Sequence, residues 1–208
     1  MAVKLYSTTY CPYAWRTRIV LHEKGLPFDV FEVDLKAKQS EFLTVSPCGK
    51  VPVMVDGTTT LTESMAINEY LEEKWPNPNL VGDTPAERAA VRTAIIDLNW
   101  NRSRPLARLA AMLFYEREGK DQGKIDQQMA SWNTYLDELE AVFSEQTWLV
   151  LDRFSMADLS LYTTEAVTRH GFGLGRDRDR PHLDAWRERV AARDTVRKSA
   201  PLGMDIAA

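Results

Sequence analysis

The sequence predicts two domains, a small α/β unit followed by an all-α unit of about five helices. Three observations carry this. Over the first ~80 residues, short β-rich runs alternate with helix-period stripes, as βα units do. A proline-rich break follows at Trp75-Pro76-Asn77-Pro78-Asn79. Beyond Thr84-Pro85 the apolar residues recur only at helical spacing. The expected boundaries are 1–78 for the first domain, 79–84 for the linker and 85–208 for the helical domain.

Val3-Lys4-Leu5-Tyr6 reads as a short strand. Pro12 through Glu23 reads as a helix, with Ile19, Val20 and Glu23 at helical spacing and Gly25 as a left-handed stop. Phe28 to Leu35 is strand-like, with Phe31, Val33 and Leu35 on one face. Val51 to Val55, the dipeptide Asp56-Gly57, and Thr58 to Leu61 read as a hairpin. Ser64 to Lys74 is a helix with Ile67, Tyr70 and Leu71 facing inward, ended by Pro76 and Pro78. Thr84 with Glu87 forms a capping box around Pro85 and opens a helix striped by Val91, Ala94, Ile95 and Leu98. Pro105 should kink that helix near Ser103 or Arg104. Ile125, Met129, Trp132, Leu136 and Leu139 form a second stripe. Ser155 to Asp158 is a further cap signature. Pro181 to Arg193 is a helix carrying Leu183, Trp186 and Val190, and the mixed charges from Arg169 to Arg180 read as a solvated loop.

Composition narrows the function. At 44% apolar and 27% charged, the chain is globular rather than disordered. Its net charge of -4 lacks the basic footprint of a nucleic-acid binder. The longest apolar run, Leu109 to Tyr115, is far short of the ~18–20 residues of a membrane span. Met1 to Leu5 shows no apolar signal core, so a cytoplasmic location is expected. Two cysteines, Cys11 and Cys48, are too few for a disulfide scaffold and read as reduced thiols. His22, His170 and His182 have no metal-ligand spacing, and no metal is expected.

Three short stretches can carry chemistry. Cys11-Pro12-Tyr13-Ala14 lies between a strand and a helix, which puts the sulfur at a helix N-terminus with Arg16 and Arg18 in the next turns. Such a thiol is expected to titrate well below a free one. Val51-Pro52 opens a strand, which fits either a cis bond or an edge strand. A cis bond would leave the Val51 backbone free to pair with an extended ligand. Ser64 reads either as a helix N-cap or, with Glu63, as a site for a group bearing both a carboxylate and an ammonium.

On these residues the sequence resembles the cytosolic glutathione transferases along essentially its whole length. Cys11 to Leu21 is similar to the active-site segment of the omega class, which uses Cys where other classes use Tyr or Ser, and to that of plant dehydroascorbate reductases. Ser46 to Val53 resembles the family's cis-proline segment, Thr62-Glu63-Ser64 its γ-glutamyl-binding turn, and Ser155 to Asp158 its helix-nucleating box. The resemblance implies a thioredoxin-like N-terminal domain, an all-helical C-terminal domain, a homodimer, and glutathione as co-substrate. It implies Cys11 as a nucleophile that forms a mixed disulfide with glutathione, in a thioltransferase, dehydroascorbate reductase or deglutathionylation reaction. Lys38 would hold the glycyl carboxylate, with Lys36 as a competitor; Val51 and Pro52 the cysteinyl backbone; Glu63 and Ser64 the γ-glutamyl end. Cys48 is a bystander in this reading. Trp100, Arg104, Arg108, Met112 and Tyr115 lie on or near the helix that would line the electrophile pocket. The alternative is a non-enzymatic protein like the stringent-starvation proteins, which resemble the run Glu69 to Pro78 and bind the transcription machinery. Retention of Cys11-Pro12, Val51-Pro52 and Glu63-Ser64 together favours the enzyme.

Overall fold

The computed structural model describes residues 2–103, 106, 121–175, 177–204 and 206. The chain divides into two compact units, residues 1–80 with 191–208, and residues 81–190. The helical domain expected over 85–208 therefore differs at its end, because residues 191–208 pack with the first unit.

The first unit contains β1 (Val3–Ser7), α1 (Pro12–Glu23), β2 (Phe28–Glu32), α2 (Ser40–Val45), β3 (Val53–Asp56), β4 (Thr59–Thr62), α3 (Ser64–Lys74) and, from the chain's last segment, α8 (Asp194–Ser199). The sheet order is β2-β1-β3-β4. β1 runs parallel to β2, with Leu5 opposite Val30, and antiparallel to β3, with Leu5 opposite Met54. Alternation along β1 buries Val3, Leu5 and Ser7 on one face. That face meets α1, whose Arg18 reaches Ser7. Trp15, Ile19, Ile67 and Leu71 are fully buried, so α1 and α3 bring their apolar stripes to the core. The opposite face is smaller: Phe42 of α2 packs with Val33 and Val53, and Tyr6 lies between Phe31 and Phe42.

Several boundaries differ from the sequence reading for local reasons. β2 stops at Glu32, and Leu35 is exposed rather than part of a buried face. After Val33 N–H donates to the Ser7 carbonyl, the Asp34 carboxylate takes the Lys36 N–H at 2.8 Å and turns the chain. α2 was not foreseen, since a six-residue helix with one buried apolar anchor has no period to detect. The hairpin turns at Gly57-Thr58, one residue later than expected, because Asp56 still pairs with Thr59. The Asp56 carboxylate is held there by Tyr70 Oη at 2.8 Å and Lys74 Nζ at 2.5 Å. Pro52 precedes β3, an interior strand, so the edge-strand reading of Val51-Pro52 does not hold: the bond is cis.

Beyond α3, a buried ion pair fixes the chain. Lys24 Nζ donates to Glu72 Oε2 at 2.5 Å and to the Pro78 carbonyl at 2.6 Å, and Glu72 Oε1 accepts the Leu80 N–H at 3.2 Å.

The second unit contains α4 (Pro85–Asp97), a π-helical turn (Leu98–Arg102), α5 (Gln122–Glu145), α6 (Met156–Phe172) and α7 (Pro181–Ala191). The capping box at α4 is present, with Glu87 N–H on Thr84 Oγ1 at 3.2 Å and Thr84 N–H on Glu87 Oε2 at 3.0 Å. Val91, Ile95 and Leu98 are buried as the stripe requires. The expected kink at Arg104-Pro105 lies outside the described residues, and the α-helical pattern already gives way at Leu98. Along α5 the stripe is buried except for Met129. The predicted helix Pro181 to Arg193 ends two residues early, and Arg193 instead becomes the N-cap position of α8. Arg180 is no solvated loop residue: it is 1% exposed, held by Asp137 at 2.8 Å and Asn133 at 3.2 Å.

Candidate functional site

Cys11 is the N-cap residue of α1, with φ -80° and ψ 115° and Pro12 following at the first helical position. Its side chain makes no cap hydrogen bond, and no acid stands in the first turn. The sulfur faces the loop before β3, 4.0 Å from the Val51 carbonyl oxygen, next to the cis Val51–Pro52 bond. The loop leading to Cys11 is pinned by Glu32, whose Oε1 accepts from Thr9 N at 2.7 Å, Thr9 Oγ1 at 2.7 Å and Thr8 Oγ1 at 3.3 Å.

Gly49 brings Lys38 to the same loop. Its φ is +61°, the left-handed region that favours glycine, and Lys38 Nζ lies against it, 2.9 Å from where a Cβ would stand. The turn itself is closed by Ser46, whose hydroxyl donates to the Lys50 carbonyl and accepts the Lys50 N–H.

Glu63 has φ +65° and ψ 111°, and among the described residues it is the non-glycine residue with positive φ. Such a conformation costs about 1–3 kcal/mol and concentrates at functional sites. Ser64 is the first residue of α3, not its N-cap; that position is Glu63, and no side-chain cap bond is made. The capping reading of Ser64 is thereby replaced. α3, like α1, starts with no acid in its first turn. Thr17 Oγ1 donates to Asn68 Oδ1 at 3.1 Å, a buried tie between the two helices that carry Cys11 and Ser64.

The expected low thiol pKa is overturned. Burial is the largest influence on Cys11 and pushes its thiol up; the Ala14 and Tyr13 N–H groups, Arg16 and Arg18 pull against it. Arg16 lies over the Tyr13 ring at 4.7 Å, and its burial lowers its guanidinium to about 10. Because the folded pKa is raised, the folded thiol keeps its proton to higher pH than the unfolded one. The stability this contributes is present below the ordinary thiol value and is lost as pH rises through the folded one. An absorbance titration of thiolate, wild type minus Cys11→Ser, is expected to give a midpoint above ~8.5. A midpoint below it would restore the helix-terminus expectation.

Cys48 is a free, exposed thiol on the turn before Gly49. Trp100 is exposed on the π-helical turn, while Arg104, Arg108, Met112 and Tyr115 lie outside the described residues. Sequence reasoning missed Glu32, Gly49 and Asn68, whose roles depend on partners 23–51 residues away or on a backbone angle. It saw Arg18 only as a charge. A signal was present: Arg16-Thr17-Arg18 is polar yet lies in a helix buried from Ala14 to Leu21.

Comparisons with known proteins fit this geometry. Residues 10–74 match the family described as "Glutathione S-transferase, N-terminal domain", and residues 104–194 match "Glutathione S-transferase, C-terminal domain". The chain is 30% identical to glutathione S-transferase 3 of Zea mays, over 95% of this chain and 92% of that one. It is 39% identical to glutathione S-transferase omega-1 of Sus scrofa, but over only 42% of this chain and 36% of that one. A glutathione S-transferase structure from Rhodospirillum rubrum F11 superposes with a TM-score of 0.85 at 27% identity, covering 95% of this chain and 91% of that chain. The Zea mays likeness spans nearly the full length of both chains, whereas the omega-1 likeness is confined to part of the chain.

Proposed function

The chain belongs to the glutathione S-transferase family, and from that premise we propose that it is a Cys-type, omega-like member: a glutathione-dependent thiol transferase or reductase with Cys11 as nucleophile. The observation that carries the reading is the place of the Cys11 sulfur, at the start of α1 and against the Val51 carbonyl. A hydroxyl at that place can only assist glutathione's own sulfur, whereas a thiol can exchange disulfides.

The residues present fit glutathione. The first turns of α1 and α3 hold no acid and neither N-cap side chain makes a cap hydrogen bond, which suits a ligand carboxylate at Ser64. The Glu63 carboxylate suits the γ-glutamyl ammonium, and the Lys38 ammonium beside Gly49 suits the glycyl carboxylate. The Val51 backbone pairs with the cysteinyl unit. That pairing competes with Cys11 for the Val51 carbonyl, so occupancy by the tripeptide frees the thiol from its acceptor.

The Cys11 thiolate attacks the glutathionyl sulfur of a mixed disulfide, forming Cys11–S–S–glutathione and releasing the partner thiolate. A second glutathione thiolate attacks the glutathionyl sulfur of that adduct. Glutathione disulfide leaves, and Cys11 is regenerated as thiolate. The mixed disulfide is reduced by two electrons: one free glutathione is consumed, and the other half of the glutathione disulfide is the glutathionyl group that the substrate carried. Dehydroascorbate is a second substrate in this reading, and the working form is a cytoplasmic homodimer.

Ser64→Ala and Glu63→Gln are each expected to weaken glutathione binding by about tenfold, the loss of one hydrogen bond or charge contact. Melting with and without glutathione separates this from any effect on the fold. Retention of the full ligand-induced shift in both variants removes the γ-glutamyl assignment.

A further inference from the structure

The last segment of the chain runs along α1 from end to end. Arg193 Nη2 holds Glu23 at 2.9 Å, with Thr195 beside it, at the helix C-terminus. Ser199 accepts the Trp15 indole N–H at 3.1 Å on Oγ and Arg18 Nε at 3.2 Å on its carbonyl. The Leu202 carbonyl accepts the Tyr10 hydroxyl at 2.9 Å, one residue before Cys11. Arg18 spreads its remaining donors to the other side: Nη1 to Ser7 Oγ at 2.5 Å and Nη2 to the Thr9 carbonyl at 3.2 Å. One buried planar cation therefore joins the end of β1, the loop before Cys11 and the C-terminal segment. A lysine has the charge but cannot reach three acceptors in one plane.

We propose that Arg18 and the segment 194–202 are positioning elements of the Cys11 site: Ser199 and Leu202 hold Arg18 and Tyr10, and these hold the loop so that the sulfur stays at the Val51 carbonyl. The proposal rests on reading Cys11 as the reacting thiol. The mechanical link is short. Cys11 N–H donates to the Thr8 carbonyl at 3.2 Å, so displacement of Thr9 or Tyr10 moves the sulfur with them. Tyr10 is 57% exposed and adds little to the core, so its hydroxyl contact can be cut while the fold stays intact.

The test measures Cys11 alkylation by iodoacetamide in a Cys48→Ser background, from about pH 5 to pH 10, beside the melting temperature. Tyr10→Phe and Arg18→Lys are expected to speed alkylation near neutral pH by about three- to tenfold and to move the midpoint to lower pH, as the sulfur leaves its half-buried place at the Val51 carbonyl. Ser199→Ala keeps the Ser199 and Leu202 carbonyls and removes the Trp15 acceptor together with the hydroxyl's bond to the Val196 carbonyl. It is expected to lower the melting temperature with the parent's alkylation profile. Should Arg18→Lys fail to fold, Tyr10→Phe decides alone. Profiles of Tyr10→Phe and Arg18→Lys that superimpose on the parent's overturn the proposal and leave the segment a purely structural tie. Glutathione takes no part in the measurement, so failure of the thiol-transferase reading shows elsewhere, as glutathione-dependent turnover retained by Cys11→Ser.

Discussion

Cys11→Ser abolishes formation of the glutathione adduct and lowers glutathione-dependent disulfide reduction by at least about a thousandfold, because a hydroxyl can neither form nor release a disulfide. Intact mass after incubation with glutathione disulfide reads the first effect directly: wild type gains one glutathionyl group and the variant gains none at Cys11. Aryl-halide conjugation is the companion assay, since it needs glutathione's own sulfur as nucleophile. A hydroxyl at residue 11 removes the competing thiol, so conjugation is expected to hold or rise in the variant. Of the hydroxyls on Tyr6, Ser7 and Tyr10, the structure commits two elsewhere. Ser7 Oγ receives Arg18 at 2.5 Å, and Tyr10 Oη donates to the Leu202 carbonyl. The third, on Tyr6, belongs to a ring packed between Phe31 and Phe42 on the opposite face of the sheet from Ser7. Wild type that conjugates well and reduces nothing, with Cys11→Ser unaltered, would falsify the Cys-type assignment while leaving family membership untouched.

Asp158→Ala destabilises the helical unit by about 3 kcal/mol or more, the range for stripping a buried, multiply bonded carboxylate. Asp158 is fully buried at the start of α6. Oδ1 accepts the Leu149 N–H at 2.9 Å and the Trp186 indole N–H at 3.0 Å; Oδ2 accepts Ser155 N at 3.0 Å and Ser155 Oγ at 2.9 Å. Alanine leaves buried donors on three different segments without their acceptor. Burial is the largest influence on the Asp158 carboxyl and raises its pKa, with these hydrogen bonds pulling it back. Asparagine cannot rescue the site, since its amide turns two N–H donors toward donors already there. Urea unfolding followed by tryptophan fluorescence measures the loss. A change within about 0.5 kcal/mol would show that the box is not a stability centre.

Much of the architecture could be read from the chain alone. Local signals are written in local residues. Pro12 to Glu23 and Ser64 to Lys74 carry helical spacing from one end to the other, and both helices have the predicted bounds. Thr84 with Glu87 and Ser155 with Asp158 are capping boxes complete within four residues, and both are formed. The order of β1, α1, β2, the hairpin and α3, the two-domain class and the place of Cys11 at the head of α1 depend on such short-range patterns, and the sequence by itself determined them; α2 and α8, six residues each, it did not.

The remainder depends on partners far along the chain. Whether Val51–Pro52 is cis or an edge-strand proline turned on β3 lying between β1 and β4. Whether Ser64 caps its helix turned on the backbone angle of Glu63. The end of the helical domain moved because Glu23 draws Arg193 and Thr195 to α1 from 170 and 172 residues away. The acidity of Cys11 changed direction for the same kind of reason. A helix N-terminus is a local feature and favours the anion. Burial is set by everything packed around the sulfur, and the cost of charging this half-buried thiol works against the pull of two N–H groups and two arginines and sets the direction of the shift. Spacing along a chain encodes which elements form, whereas desolvation belongs to the assembled structure and was decided only there.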